Sequence, residues 1–131
     1  MAENIIVYFS EQTDEKIMEV FEDIAEHMDD TWYIPSNKNY LIMIYPYDDF
    51  LREYEDIEQL KIIEVLGSVP KISFCMTVRR IQSNQACDFI KKLLIEKLSK
   101  FHYVVDDNMD RIWTKAEVEM SKAEFLTEYY Y

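Results

Sequence analysis

The stretch KISFCMTVRRIQSNQACDFIKKLLIEKLSKFHYVV, residues 71–105, has the pattern of a strand, a helix and a second strand in succession. In its first ten residues, apolar side chains such as Ile72 and Phe74 alternate with smaller or polar ones, which is typical of a strand. Ser83 or Asn84 then caps a helix whose apolar residues recur at intervals of three and four. The predicted core positions of this helix are Phe89, Ile90, Leu93, Leu94, Leu98 and Phe101.

A second strand and helix begin the chain. NIIVYF, residues 4–9, is a short β-branched and aromatic run that predicts a strand buried on both faces. SEQTDEKIMEVFEDIAEHMDD, residues 10–30, predicts one helix with Thr13 as its N-cap. The apolar stripe of this helix is Ile17, Val20, Phe21, Ile24 and Met28. The rest of its surface is acidic almost throughout.

Between these two units the sequence predicts a hairpin and another helix. TWYIP and NYLIMIYPY flank the polar turn SNKN, as the two strands of a hairpin do. DDFLREYEDIEQLKIIEVLG, residues 48–67, follows as a helix that Asp48 or Asp49 caps and Gly67 ends. The predicted packed face of this helix is Phe50, Tyr54, Ile57, Leu60 and Ile63.

The order of these segments predicts a single α+β domain over residues 1–131. We expect a ferredoxin-like sandwich: a largely antiparallel sheet with helices packed on it, plus an inserted helix and a C-terminal helix. HYVV and RIW would pair around DDNMD, and Thr114 with Glu117 would form the capping box of the last helix. A flavodoxin-like parallel sheet is the alternative, but such sheets often have glycine-rich turns, and this chain has one glycine.

Negative charge is concentrated in the first half of the chain. Residues 1–66 carry 17 Asp and Glu against 4 Lys and Arg, whereas residues 67–131 carry 9 acids and 10 bases. Such a field repels nucleic acids and anionic membranes and attracts basic partners. Solubility alone is the alternative explanation.

Neither a membrane span nor a signal peptide is expected. The longest apolar run, YLIMIYPY, is far shorter than the ~20 residues that a helix needs to cross a bilayer. The N-terminus has an acid where a signal peptide needs bases. Of the two cysteines, Cys75 lies in an apolar run and is expected to be a buried small hydrophobic residue rather than a disulfide partner, which favours a cytoplasmic location.

The segment VVDDNMDRIWTKAE, residues 104–117, matches part of a calcium-binding EF-hand loop. Asp106, Asn108, Asp110 and Glu117 stand at loop positions one, three, five and twelve. The sixth position, where the loop needs glycine, is Arg111. A tight acidic turn between two strands, with Glu117 capping the following helix, explains more of these residues, so we expect no metal or other cofactor.

Catalytic motifs are scarce in the sequence. His27 and His102 have no serine or cysteine nucleophile motif beside them, and no glycine-rich phosphate loop is present. We therefore predict that the protein is not an enzyme. The alternative use of the acids, tyrosines and helices is protein binding. The partner-binding residues predicted in this way are Glu19, Glu22, Glu26, Tyr47, Asp48, Asp49, Glu53 and Tyr54.

The order of several motifs resembles that of small α/β immunity proteins of bacterial polymorphic toxin systems. The likeness covers residues 32–118 through WYIP, YLIMIYPYDD, LGSVPKISFCMTVRR and LLIEKLSKFHYVVDDNMDRIWTKAEV. VVDDNMDRIWTKAE is its most specific part. The resemblance implies an inhibitor that neutralises a cognate toxin, and it concerns that role rather than particular contact residues.

Two functions from different classes follow from these observations. In the first, acidic side chains cover the basic active site of a toxin, such as a nuclease, at positions that phosphates would occupy. In the second, the chain is a non-enzymatic scaffold or oligomeric domain whose acids only keep it in solution, and a homodimer is compatible with the sequence. Calcium binding is the third and least favoured hypothesis.

Overall fold

The computed structural model describes residues 3–11, 13–35, 40–47, 56–78, 83–107 and 112–120. They form an α+β structure with seven strands and four helices. The strands are β1 (Glu3–Phe9), β2 (Glu26–Met28), β3 (Thr31–Pro35), β4 (Tyr40–Pro46), β5 (Ile72–Val78), β6 (Tyr103–Asp106) and β7 (Ile112–Thr114). The helices are α1 (Glu15–Ile24), α2 (Asp56–Leu66), α3 (Ser83–Lys92) and α4 (Lys115–Met120).

The seven strands make one open sheet in the order β2-β3-β4-β5-β1-β6-β7. Every neighbouring pair is antiparallel, which overturns the flavodoxin-like alternative. β1 lies inside the sheet, where Val7 is opposite Phe74 of β5 and Val105 of β6. Residues 5–9 are all buried, as predicted for a strand covered on both faces.

One face of the sheet is covered by α1, α3 and α4, and we call it the three-helix face. Ile17 and Phe21 of α1 pack there against side chains that alternate along the strands. The Phe21 ring centroid lies 5.4 Å from that of Trp32 and 5.0 Å from that of Phe74. The predicted core positions of α3 and its continuation are confirmed, with Ile90, Leu93, Leu94, Leu98 and Phe101 buried and Phe89 partly buried.

The opposite face of the sheet is covered by α2, and we call it the α2 face. Ile62 and Leu66 of α2 pack with Ile6, Tyr8, Cys75 and Val104. Cys75 is buried, as predicted. Gly67 ends α2 as expected: its φ is 89°, in the left-handed region that glycine adopts easily, and its N–H donates to the Ile63 carbonyl at 2.8 Å.

The first helix is shorter than its pattern predicts. α1 ends at Ile24, Ala25 is extended, and residues 26–28 form the edge strand β2. Asp29 then has a φ of 56°, a turn geometry that aspartate tolerates better than most residues. Met28 is therefore 61 % exposed and is not part of the apolar stripe. The N-cap is Asp14 rather than Thr13.

The packed face predicted for α2 is wrong at Ile57 and Leu60 but right at Ile63, which packs partly buried on the α2 face. Ile57 and Leu60 are 79 % and 63 % exposed, whereas Ile62 and Leu66 are buried. This helix has apolar residues on two sides, so periodicity alone does not select the side that meets the sheet. Phe50 and Tyr54 lie outside the described residues.

The C-terminal part matches its prediction more closely. β6 and β7 pair antiparallel, with Val105 opposite Trp113. α3 continues into a π-helical turn at Leu93–Lys97, closed by a 2.9 Å hydrogen bond from the Leu98 N–H to the Leu93 carbonyl. In the described part of the chain, none of the helices has the length and apolar character that a bilayer crossing requires.

Candidate functional site

The outer surface of α1 and the turn after β2 both carry exposed carboxylates. With Ile17 and Phe21 fixed against the sheet, helical geometry turns the acidic positions of α1 toward solvent. No described lysine or arginine forms an ion pair with these acids; among the described residues, their one close contact with a basic side chain joins Glu22 to His27. We call this surface the acidic ridge. It consists of Asp14, Glu15, Glu19, Glu22, Asp23, Asp29 and Asp30.

Glu22 is held in place by two ring nitrogens. Its Oε1 lies 2.6 Å from Nδ1 of His27 and accepts a 3.2 Å hydrogen bond from Nε1 of Trp32. The imidazole stacks on the indole, with ring centroids 4.3 Å apart and planes 14° from parallel. His27 and Trp32 are directly opposite in the β2–β3 pair, which explains the stacking. The network joins α1 to the edge of the sheet and fixes one carboxylate of the acidic ridge.

Tyr47 lies on the α2 face of the sheet, whereas α1 and the acidic ridge lie on the opposite side. Its ring packs edge-on against Tyr8 at a centroid distance of 6.5 Å, within the cluster on the α2 face. Its backbone N–H donates to the Ser73 carbonyl at 2.9 Å, and the Ser73 hydroxyl donates to the Tyr47 carbonyl at 2.5 Å. Tyr47 therefore helps to close the core at the end of β4.

The structure thus separates the predicted partner-binding residues. Glu19 and Glu22 belong to the acidic ridge beside the three-helix face, and Tyr47 belongs to the α2 face. Glu26 lies on the edge strand opposite Tyr33. Asp48, Asp49, Glu53 and Tyr54 lie outside the described residues.

The outward side of α2 is a surface feature that sequence reasoning missed. Ile57, Leu60 and Glu64 are exposed at a spacing of three and four residues, so they follow one side of the helix. Lys61 is exposed beside them. The signal in the sequence is that Ile62 and Leu66 form a second apolar stripe on α2. When this second stripe packs on the sheet, Ile57 and Leu60 are not needed for that contact. We call Ile57 and Leu60 the outer α2 pair.

The residues of the calcium hypothesis have other roles where the structure describes them. Asp106 is 6 % exposed within β6, opposite Ile6 and Ile112, whereas an EF-hand loop begins after a helix. The Glu117 carboxylate accepts from the Thr114 N–H at 2.9 Å, and the Glu117 N–H donates to the Thr114 hydroxyl at 3.1 Å.

These two bonds confirm the predicted capping box. Asn108 and Asp110 lie outside the described residues. Among the residues that are described, no three His, Cys, Asp or Glu side chains come together as a metal site would require.

Burial raises the pKa of two tyrosine hydroxyls. Burial, followed by hydrogen bonding to Cys75, raises the pKa of Tyr45, whose hydroxyl lies 3.2 Å from the Thr77 hydroxyl. Burial also raises the pKa of Tyr103 well above its ordinary range, and its hydroxyl donates to the Leu94 carbonyl at 3.1 Å. Leu94 lies in the π-helical turn, so Tyr103 satisfies a backbone acceptor there.

Comparison with known proteins adds no relative from which a function could be transferred: no family model, curated protein or solved structure matches this chain. The geometry of the described residues therefore carries the functional argument. Its two main surface features are the acidic ridge and the outer α2 pair.

Proposed function

We propose that this protein binds a basic protein and inhibits it, as an immunity protein neutralises its cognate toxin. The observation that carries the proposal is the acidic ridge, whose exposed carboxylates have no described lysine or arginine partner. Carboxylates that serve only the fold are commonly found in caps or ion pairs, as Glu117 is in its capping box. Glu15, Glu19 and Asp23 of the ridge have no such role among the described residues and remain available to a partner.

The ridge suits the recognition of a phosphate-binding site. A row of carboxylates on a helix places negative charge at intervals of one helical turn, and such charge can occupy positions that substrate phosphates take in a basic cleft. The Glu22 carboxylate, held by His27 and Trp32, is already ordered before the partner arrives. Long-range attraction would make association fast and sensitive to salt.

The proposal extends to the finer description of the fold. The strand order β4-β5-β1-β6 supports a ferredoxin-like core, because α1 and α3 lie on the same side of those four strands. In this description β2, β3 and β7 extend the sheet at its two ends, and α2 is the inserted helix. A cytoplasmic location also belongs to the proposal, and a buried Cys75 outside any disulfide agrees with it.

The test is a growth experiment with the protein encoded by the adjacent reading frame. That protein is expressed in bacteria alone, with this chain, and with the ridge variant Glu15→Lys, Glu19→Lys, Asp23→Lys. We expect growth arrest that this chain relieves and that the variant relieves poorly. A neighbour that arrests growth equally in the presence and absence of this chain would contradict the proposal.

Kinetic measurement then examines the role of charge. The association rate of the two purified proteins should fall steeply between low salt and ~0.15 M salt, because the Debye length shortens to about 8 Å. The ridge variant should associate slowly at every salt concentration. An association rate that is independent of both salt and ridge charge would show that the ridge acids have no role in binding.

A further inference from the structure

The outer α2 pair is exposed to solvent and is not needed to pack α2 on the sheet. Ile57 and Leu60 are 79 % and 63 % exposed on a helix whose contact with the sheet is made by Ile62 and Leu66. Isolated exposed aliphatic residues are common, but two on the same side of one helix form a small apolar surface. Helices that bind a groove present anchors at this spacing of three and four residues.

The charge around the outer α2 pair is negative. α2 contains Asp56, Glu58 and Glu64 against one base, Lys61. A partner that buries Ile57 and Leu60 must therefore bring positive charge to the rim of its apolar site.

The same charge argues against a second copy of this chain as the occupant. Two α2 helices packed together would place their carboxylates near one another with one lysine each to compensate, and like charges across an interface oppose association. A basic partner would instead bring positive charge to these carboxylates, which favours association. Charge complementarity thus selects between the two occupants.

We infer that the outward side of α2 is the apolar anchor by which this protein holds its basic partner, with Ile57 and Leu60 entering an apolar groove rimmed by lysine or arginine. The inference rests on the proposed function and names the contact that makes the complex long-lived. The acidic ridge accelerates the encounter, whereas buried aliphatic anchors slow dissociation. The two surfaces therefore have separable kinetic effects.

The test uses a fluorescein-labelled amphipathic peptide of leucine and lysine, about 18 residues or five helical turns long. A control peptide has glutamate in place of every lysine. Binding is measured by fluorescence anisotropy with wild-type protein, with Ile57→Gln/Leu60→Gln and with Met120→Gln. Met120 is 78 % exposed on α4, so its replacement removes an equally exposed apolar side chain elsewhere. Circular dichroism melts verify that all variants fold.

We expect the lysine peptide to bind wild-type protein and the glutamate peptide not to bind. The double α2 variant should bind at least about tenfold more weakly, whereas Met120→Gln should stay within about twofold of wild type. Lys61→Glu should tighten binding, and Glu64→Lys should weaken it, because the two changes shift the rim charge in opposite directions.

Three outcomes would overturn the inference. If the double α2 variant binds like wild type while Glu15→Lys/Glu19→Lys/Asp23→Lys loses binding, the α2 anchor is wrong and the proposed function stands. If the lysine peptide binds no better than the glutamate peptide, the inference fails, whereas the proposed function is decided by the growth experiment. If light scattering shows a wild-type dimer that the double α2 variant converts to a monomer, the occupant is a second copy.

Discussion

α1 and α2 cover opposite faces of the same sheet, and their outer surfaces differ. α1 turns Ile17 and Phe21 inward and carboxylates outward, so its sequence pattern predicts its orientation. α2 turns Ile62 and Leu66 inward and keeps Ile57 and Leu60 in solvent. A helix with one apolar stripe can bury only that side. A helix with two apolar stripes can bury either side, and its contacts with the rest of the fold decide which one. The outer surface of α1 is charged and suits long-range attraction of a partner, whereas the outer α2 pair is apolar and suits a buried contact.

The largest effect should come from the core of α1. Replacing Phe21 with alanine removes a ring that contacts Trp32 and Phe74, and it should lower the free energy of unfolding by about 3–5 kcal/mol. Urea denaturation followed by circular dichroism measures the change. Glu19→Ala, on the outer side of the same helix, is the control and should stay within about 0.5 kcal/mol of wild type. Equal losses for both variants would contradict the orientation of α1.

The next effect tests the orientation of α2 with two chemically identical substitutions. Ile62→Ala should cost about 2–5 kcal/mol because Ile62 is fully buried. Ile57→Ala should change the unfolding free energy by less than about 0.5 kcal/mol. The same urea titration compares the two variants. If Ile57→Ala were the costlier change, the face predicted from periodicity would be the packed one after all.

A smaller effect concerns Tyr103 on the three-helix face. Tyr103→Phe removes the bond to the Leu94 carbonyl and should cost about 1 kcal/mol at neutral pH. The raised pKa of Tyr103 gives this difference a pH dependence. Above the ordinary tyrosine pKa, which is about 10, the unfolded chain releases the proton while the folded protein retains it, so wild type loses stability as the pH rises.

The variant has no hydroxyl at this position to ionise. The difference between wild type and Tyr103→Phe is therefore expected to be constant up to about pH 10 and to narrow above it. Denaturant titrations at pH 7 and at several values above 10 measure this difference. A gap that is unchanged at high pH would show that the Tyr103 hydroxyl ionises as readily in the folded protein as in the unfolded chain.

The smallest effect should come from the network that joins α1 to β2. Glu22→Gln keeps an acceptor for Trp32 but removes the charge that faces His27, and exposed pairs of this kind contribute about 0.2–1 kcal/mol. Thermal melts at low and at high salt measure the loss, which salt should diminish. Glu15→Gln is the matched control, since Glu15 is exposed on the same helix and has no described ion-pair partner. An equal loss of stability in both variants would show that the contacts of Glu22 with His27 and Trp32 do not stabilise the fold.

Prediction from sequence succeeded where a local pattern had one structural solution. The buried β1 strand, the alternation along β5, the glycine end of α2 and the Thr114–Glu117 capping box are of this kind. It failed at residues 25–30, where a helical pattern continues in the sequence. There the pairing of residues 26–28 with β3 and the stacking of His27 on Trp32 form an edge strand instead.

The candidate site shows the same limit. The acids of α1 were predicted because an amphipathic helix must expose its polar side. The separation of Glu19 from Tyr47 depends on which sheet face each element covers, and no local pattern contains that information. The outer α2 pair became recognisable only when Ile62 and Leu66 were seen to fill the contact with the sheet.

The sequence by itself determined the α+β class, most of the strands, the acidity of the first half and the caps of two helices, because these follow from periodicity and nearest-neighbour chemistry. Only the tertiary structure decided the strand order, the place where α1 ends and the side of α2 that remains in solvent. Those features depend on contacts between residues distant in the chain, such as the burial of Trp32 beside Phe21 and of Ile62 against the sheet.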